Sequence, residues 1–212
     1  WFKTRGIDCR IYDLSKLMRD EGHEVDDAYL LLAKRGLSAI CCPDQFYLEQ
    51  AALQKDTKAL MRGRVVNKKA RHNLCFDDQQ CTADYELGRG TVIAFDSVPH
   101  LNLVRQTLPS ILGPKASNLK AEGNYYYDPQ SCGIGYHGDS ERKLVIGVRV
   151  GQTMPLCFRW FRSSVQQGPT MRFEPQHGDV YIMSEKAAGT DWKTRSIYTL
   201  RHAAGCAKYI NP

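Results

Sequence analysis

Residues 124–142, NYYYDPQSCGIGYHGDSER, decide how this chain is read, because they hold a pattern that packing alone does not explain. At the centre stands His137-Gly138-Asp139. An imidazole and a carboxylate two residues apart at a strand end approach one metal ion from the same side. They supply two-thirds of a 2-His-1-carboxylate triad and leave coordination positions open. The third ligand must come from elsewhere in the chain. Gly133, Gly135 and Gly138 place the triplet in a glycine-rich turn between strand-like segments, with more backbone freedom than a packed core asks for.

Downstream, short segments rich in aromatic and β-branched residues follow one another at 124–127, 144–150, 156–161, 171–174, 180–183 and 197–201. Gly or Pro separates most of them, which is the spacing of a β-sandwich or jelly roll. Upstream the texture is different. Residues 13–35 carry Leu14, Leu17 and Met18, then Tyr29 to Ala33, with Asp13 and Asp26 as candidate N-caps and Gly36 as a stop, and so predict one or two helices. Asp44 caps a further predicted helix through Leu60, closed by Gly63, and 91–96 reads as a short strand. Pro99 starts a helix through Leu112, with Leu101, Val104, Leu108 and Ile111 on one face and Pro109 as a kink.

The expectation is therefore an α+β fold, a single domain over 1–212 in which 1–90 gives helical support and 91–212 forms the β-rich core that carries the chemistry. With 42% hydrophobic and 10% aromatic residues the chain is large enough for one substantial core. Its apolar runs fall far short of a bilayer span, so no membrane partner is expected. Eight cysteines without a CxxC pair read as reduced thiols in an intracellular compartment, cytoplasm or nucleus. A net charge of +6 favours an anionic partner.

Two further stretches carry charge in a pattern. Residues 62–72, RGRVVNKKARH, hold five basic residues and one histidine, and no carboxylate lies between Asp56 and Asp77. This is either a solvated loop or edge strand, or a strip in which Lys68, Lys69 and Arg71 contact the phosphates of a nucleic acid. In 195–201, RSIYTLR, strand alternation puts Arg195, Ile197, Thr199 and Arg201 on one face. Two guanidinium groups there call for a carboxylate, from the chain itself or from a dicarboxylate cosubstrate.

Asn124-x-Tyr126 ahead of His137-x-Asp139-x-Glu141, then His177-Gly178-Asp179 leading a strand, then an Arg-x5-Arg segment ending in TLRHAAG, together resemble the AlkB family of iron(II) and 2-oxoglutarate-dependent dioxygenases. The resemblance covers roughly the last 90 residues, with a weaker echo at 71–78. It implies a double-stranded β-helix, or jelly roll, in which His137 and Asp139 hold Fe(II) and Asn124, Tyr126, Arg195 and Arg201 hold 2-oxoglutarate. In the family the second iron histidine lies between the Gly-Asp-led strand and the Arg-x5-Arg strand, but 180–194 contains no histidine. His202, 65 residues after His137, is the leading third ligand, with His177 or a water-completed site as alternatives. If His202 binds, the strand assignment shifts by one and Lys208 becomes a candidate anchor for the distal carboxylate.

The implied activity is hydroxylation of a nucleic-acid base, foremost the oxidative demethylation of N-alkylated bases in DNA repair. The base is flipped out of a duplex, with Arg142 and the basic strip at the substrate. The alternatives are hydroxylation of a pyrimidine C5-methyl or of a protein side chain, and a non-catalytic nucleic-acid-binding jelly roll with a degenerate metal site.

Overall fold

The apolar run Tyr-Leu-Leu-Leu-Ala is a strand where a helix was expected. In the computed structural model, which describes residues 1–211, β1 (Cys9–Asp13) and β2 (Tyr29–Ala33) pair antiparallel, and only the short α1 (Lys16–Asp20) lies between them. An unbroken apolar run has no period that separates a buried strand from a buried helix. The connection is tied locally: the Ser15 backbone N–H donates to Asp13 Oδ1 at 2.9 Å, and Ala28 N–H donates to Ser15 Oγ at 2.8 Å. Asp13 thus opens a turn and does not cap a long helix.

The chain divides into two compact units, Phe2–Ala39 with Gly133–Pro212, and Trp1 with Ile40–Cys132. β1 and β2 give their strands to the unit that holds the C-terminal strands.

The unit formed by Ile40–Cys132 opens with α2 (Pro43–Ala52), which ends well before Leu60. The remainder of that predicted helix is β3 (Lys58–Met61), which makes a hairpin with β4 (Arg64–Asn67). Arg62 and Gly63 turn it with φ of 50° and 76°, the left-handed pair that a two-residue hairpin loop requires. Next come β5 (His72–Asp77), β6 (Val92–Ala94), α3 (Pro99–Leu112) and β7 (Ala121–Tyr125). β5 is the centre of a three-stranded sheet, parallel to β6 and antiparallel to β7. Leu74, Phe76, Phe95 and Val98 form its buried core, against which Leu101 of α3 packs as the 3.6-residue pattern predicted.

The second unit continues with β8 (Gly133–His137), β9 (Val145–Val148), β10 (Leu156–Arg162), β11 (Val165–Phe173), β12 (Val180–Met183), α4 (Glu185–Ala188), β13 (Thr199–Gly205) and α5 (Ala207–Ile210). The glycine-rich segment expected as a turn is strand β8 up to its last turn-forming residue. Two antiparallel sheets result, in the orders β1-β2-β12-β9 and β11-β10-β13-β8. Leu30 and Met183 from the first and Leu156, Phe158, Trp160 and Leu200 from the second share one buried cluster. The fold is thus α+β, dominated by antiparallel sheets with few and short helices.

Two polar contacts hold this core at its edges. Trp160, 1% exposed, donates its indole N–H to Leu14 O at 2.9 Å, so the buried ring leaves no unsatisfied group. Asp179, equally buried, accepts from Lys34 Nζ, the Arg35 backbone N–H and the Gln176 backbone N–H at 2.8–2.9 Å, which staples the end of β2 to the start of β12. No helix among the described residues is long and apolar enough to cross a membrane.

Candidate metal centre

β8 ends on His137, and β13 places His202 directly opposite it in the ladder. Their ring centroids are 4.4 Å apart. Asp139 lies just past β8, with Oδ1 3.8 Å from His137 Nε2 and Oδ2 3.9 Å from His202 Nε2. One donor atom from each of the three residues falls within 4.8 Å of the others, so the group is able to hold a metal ion.

Local structure fixes each donor. His137 Nδ1–H donates to Gly135 O at 2.8 Å, and because a carbonyl only accepts, the Nε2 lone pair is the one turned to the group. Asp139 is held by its backbone N–H on Ala188 O at 2.9 Å, at the end of α4. Between them Gly138 packs so tightly that a Cβ there would run into Gly189 O and meet Trp192 at 2.7 Å, so the motif's central residue has to be glycine. His202, 7% exposed, lies against Phe158 in the core, and burial together with the neighbouring His137 holds its imidazole well below the ordinary range, down to about 3. It is therefore neutral near pH 7, the form a metal requires. Bonds of about 2.1 Å to a metal put donors roughly 3 Å apart, so each pair in the set closes by under ~2 Å on an ion.

His177 does not join this group: its Nδ1 accepts the Gly151 backbone N–H at 2.9 Å. The third member of the group is His202. Arg142, expected at the substrate, places its guanidinium 3.3 Å from Asp139 Oδ2.

The arginine pair departs from its expectation. β13 begins at Thr199, so Arg195 lies outside the strand and exposed, and the two guanidinium groups share no strand face. Arg201 is opposite Arg159 and His202 opposite Phe158, so alternation turns Arg201 away from the metal donors. Its guanidinium lies 4.3 Å from the Phe161 ring centroid and 5.4 Å from that of Trp192. The cause is a strand that runs on through AAG: His202 joins the ladder where sequence reading ended the strand at Arg201.

Asn124 and Tyr126 belong to the other unit, in and just after β7. There Asn124 Oδ1 accepts from Arg71 Nε at 2.6 Å. The basic strip of that unit is the β3–β4 hairpin and its return into β5, so the edge-strand reading holds for its first half. Lys68 donates to Asn73 Oδ1, while Lys69 lines a cleft of about 970 Å³ with Lys58, Val65 and Tyr85. His72 stacks on Tyr127 at 4.4 Å, and Tyr127 and Tyr125 stay more than two-fifths exposed beside these cations.

Sequence reading missed the groups that steady the centre: the Ala188 carbonyl, Gly189 and Trp192, whose Nε1–H donates to Ser140 Oγ at 3.0 Å. No periodic signal marks them, because they come from the end of the one-turn helix α4 and the turn that follows it.

Fold and site together define an α+β protein with a His-Asp-His donor group in its sheet-rich unit. No family model matches the sequence. The chain is 43% identical over 211 residues to an uncharacterized protein of Acanthamoeba polyphaga mimivirus, an alignment spanning 99% of this chain and 83% of the viral one. It belongs to the same family as that protein.

Proposed function

We propose that the protein is an iron(II) and 2-oxoglutarate-dependent dioxygenase of the AlkB type acting on nucleic-acid bases, foremost by oxidative demethylation. The observation that carries the proposal is the convergence of His137, Asp139 and His202, two imidazoles and one carboxylate with donors within 4.8 Å. Topology supports the jelly-roll part. In the sheet-rich unit β8 pairs with β13, β9 with β12 and β10 with β11, three nested antiparallel pairs assigned alternately to the two sheets. A long hairpin folded over on itself produces this order.

Iron(II) with 2-oxoglutarate, when bound, supplies the oxidation of a substrate C–H bond. The chain's own residues do the rest. The Gly135 carbonyl orients His137, and the Ala188 carbonyl orients the Asp139 backbone. Phe158 and its neighbours keep water from the His202 side, and Arg142 beside Asp139 offers a cation to an anionic ligand. With Arg201 turned away, the carboxylate anchor falls to Arg149. It follows β9 directly, and its Nε is buried. The cationic and aromatic face of Lys69, Arg71, His72, Tyr125 and Tyr127 suits a phosphate backbone with stacked bases. His202 in the donor group favours this reading over a non-catalytic module with a degenerate site.

Anaerobic addition of iron(II) and 2-oxoglutarate should give the weak visible band of the chelate, and admitting O₂ with N-methylated oligonucleotides should yield succinate and formaldehyde. Absence of both the band and succinate overturns the enzyme reading. A band with succinate only on C5-methyl-pyrimidine or peptide substrates reassigns the substrate.

A further inference from the structure

The outer face of the sheet β11-β10-β13-β8, opposite the metal donors, has a cation pair that sheet chemistry disfavours. Arg159 and Arg201 stand directly across from one another on β10 and β13. Like charges in that position repel. Here their planes are held: Arg159 lies 4.4 Å from the Tyr136 ring centroid and Arg201 4.3 Å from that of Phe161. Lys208 on α5 brings a third cation to the same cleft, which measures about 460 Å³ and is also lined by Tyr209 and Gln166.

No carboxylate among the described residues compensates these three. Glu174 pairs with Arg172, and Asp191 with Lys186, the acidic groups on neighbouring elements. Arg159 uses Nε on Thr170 Oγ1 at 2.7 Å and Nη2 on Ile210 O at 2.8 Å, and its side chain lines the cleft. Arg201 Nε is buried with no hydrogen-bond partner, and burial depresses the guanidinium's affinity for its proton. Keeping two partly buried arginines opposed costs stability unless an anion joins them.

We infer that Arg159, Arg201 and Lys208 form a second ligand site, which takes the phosphate group of a small phosphate monoester. A guanidinium fork pairs bidentately with a phosphate oxygen edge, a lysine adds a point charge, and three cations match a dianion better than a single carboxylate. The cleft is within the range of pockets that take small molecules and has room for more than the phosphate alone. This site is on the face of β13 opposite His202, so it does not rest on the dioxygenase reading.

Calorimetric titration of the intact chain with AMP, inorganic phosphate, adenosine and succinate tests it. AMP and phosphate should bind, adenosine should not, and both Arg159→Gln and Lys208→Gln should weaken AMP roughly tenfold or more. Lys208 is exposed, so Lys208→Gln should do so with an unchanged Tm, which separates site loss from misfolding. AMP binding much tighter than phosphate marks a nucleotide ligand, and equal binding marks free phosphate; either outcome supports the site. Adenosine binding as tightly as AMP, succinate outcompeting phosphate, or Lys208→Gln leaving affinity unaltered would overturn it.

Discussion

His137 and His202 face each other across the β8–β13 ladder with ring centroids 4.4 Å apart, although they are 65 residues apart in the chain. Both are carried on strands of one sheet, so the donor set is held by backbone hydrogen bonding on two sides, and Asp139 closes it from the adjoining turn.

Replacing His202 by Ala should abolish retention of iron(II), and His177→Ala should leave it near the parent level. Metal stoichiometry after desalting reads the result directly. Retention by His202→Ala with loss in His177→Ala would reassign the third ligand.

Gly138→Ala should lose metal and lower Tm, because the new methyl meets backbone Gly189 O, which has no side-chain freedom to yield. Overpacking of this kind costs about 1–3 kcal/mol. Metal affinity unchanged with an unchanged Tm would contradict the packing described at this turn.

The metal-free protein should lose stability as pH falls below about 6.5. The unfolded His202 imidazole takes up a proton near its ordinary value of about 6.5, while the folded one resists down to about 3. The unfolded state therefore binds more protons through that window, and stability present above it is lost as acid is added. Urea midpoints at pH 7 and pH 5 should converge in His202→Gln relative to the parent. An equal acid-induced drop in both proteins would show that other groups dominate.

Asp179→Ala should destabilise by about 3 kcal/mol, since it leaves Lys34 and two backbone N–H groups without their shared acceptor at a buried position. Iron retention in the folded fraction should persist, because Asp179 is no part of the donor group. Denaturant unfolding and metal analysis on the same sample separate the two effects.

Lys68→Gln with Lys69→Gln should weaken single-stranded oligonucleotide binding, and the slope of log K against log salt should shrink by about 2. Fluorescence anisotropy over a salt series measures it. An unaltered slope would return residues 62–72 to a solvated hairpin with no phosphate contacts.

Some of this was legible in the residues themselves. His137-Gly138-Asp139, β10 and β12 follow from local pattern, because a strand's alternation and a motif's spacing are properties of a few consecutive residues. Other features were not. Tyr29–Ala33 has an apolar run without period, and it is a strand because β1 and β12 flank it on both sides, a fact outside the run. The Arg-x5-Arg segment misled because alternation says which residues share a face only once the strand's limits are known, and those are set by pairing with β10 and β8.

By itself, then, the sequence determined two of the three residues of the candidate donor group, the β-rich character of the C-terminal half and the presence of a basic strip, all of them short-range features. Tertiary structure alone decided that His202 and not His177 completes the donor group, that Arg201 leaves that face for a cleft with Arg159 and Lys208, and that β1 and β2 complete a sheet begun far downstream. The physical reason is that strand register is a long-range choice: hydrogen bonds and a shared core, formed between residues distant in the chain, select which side chains meet.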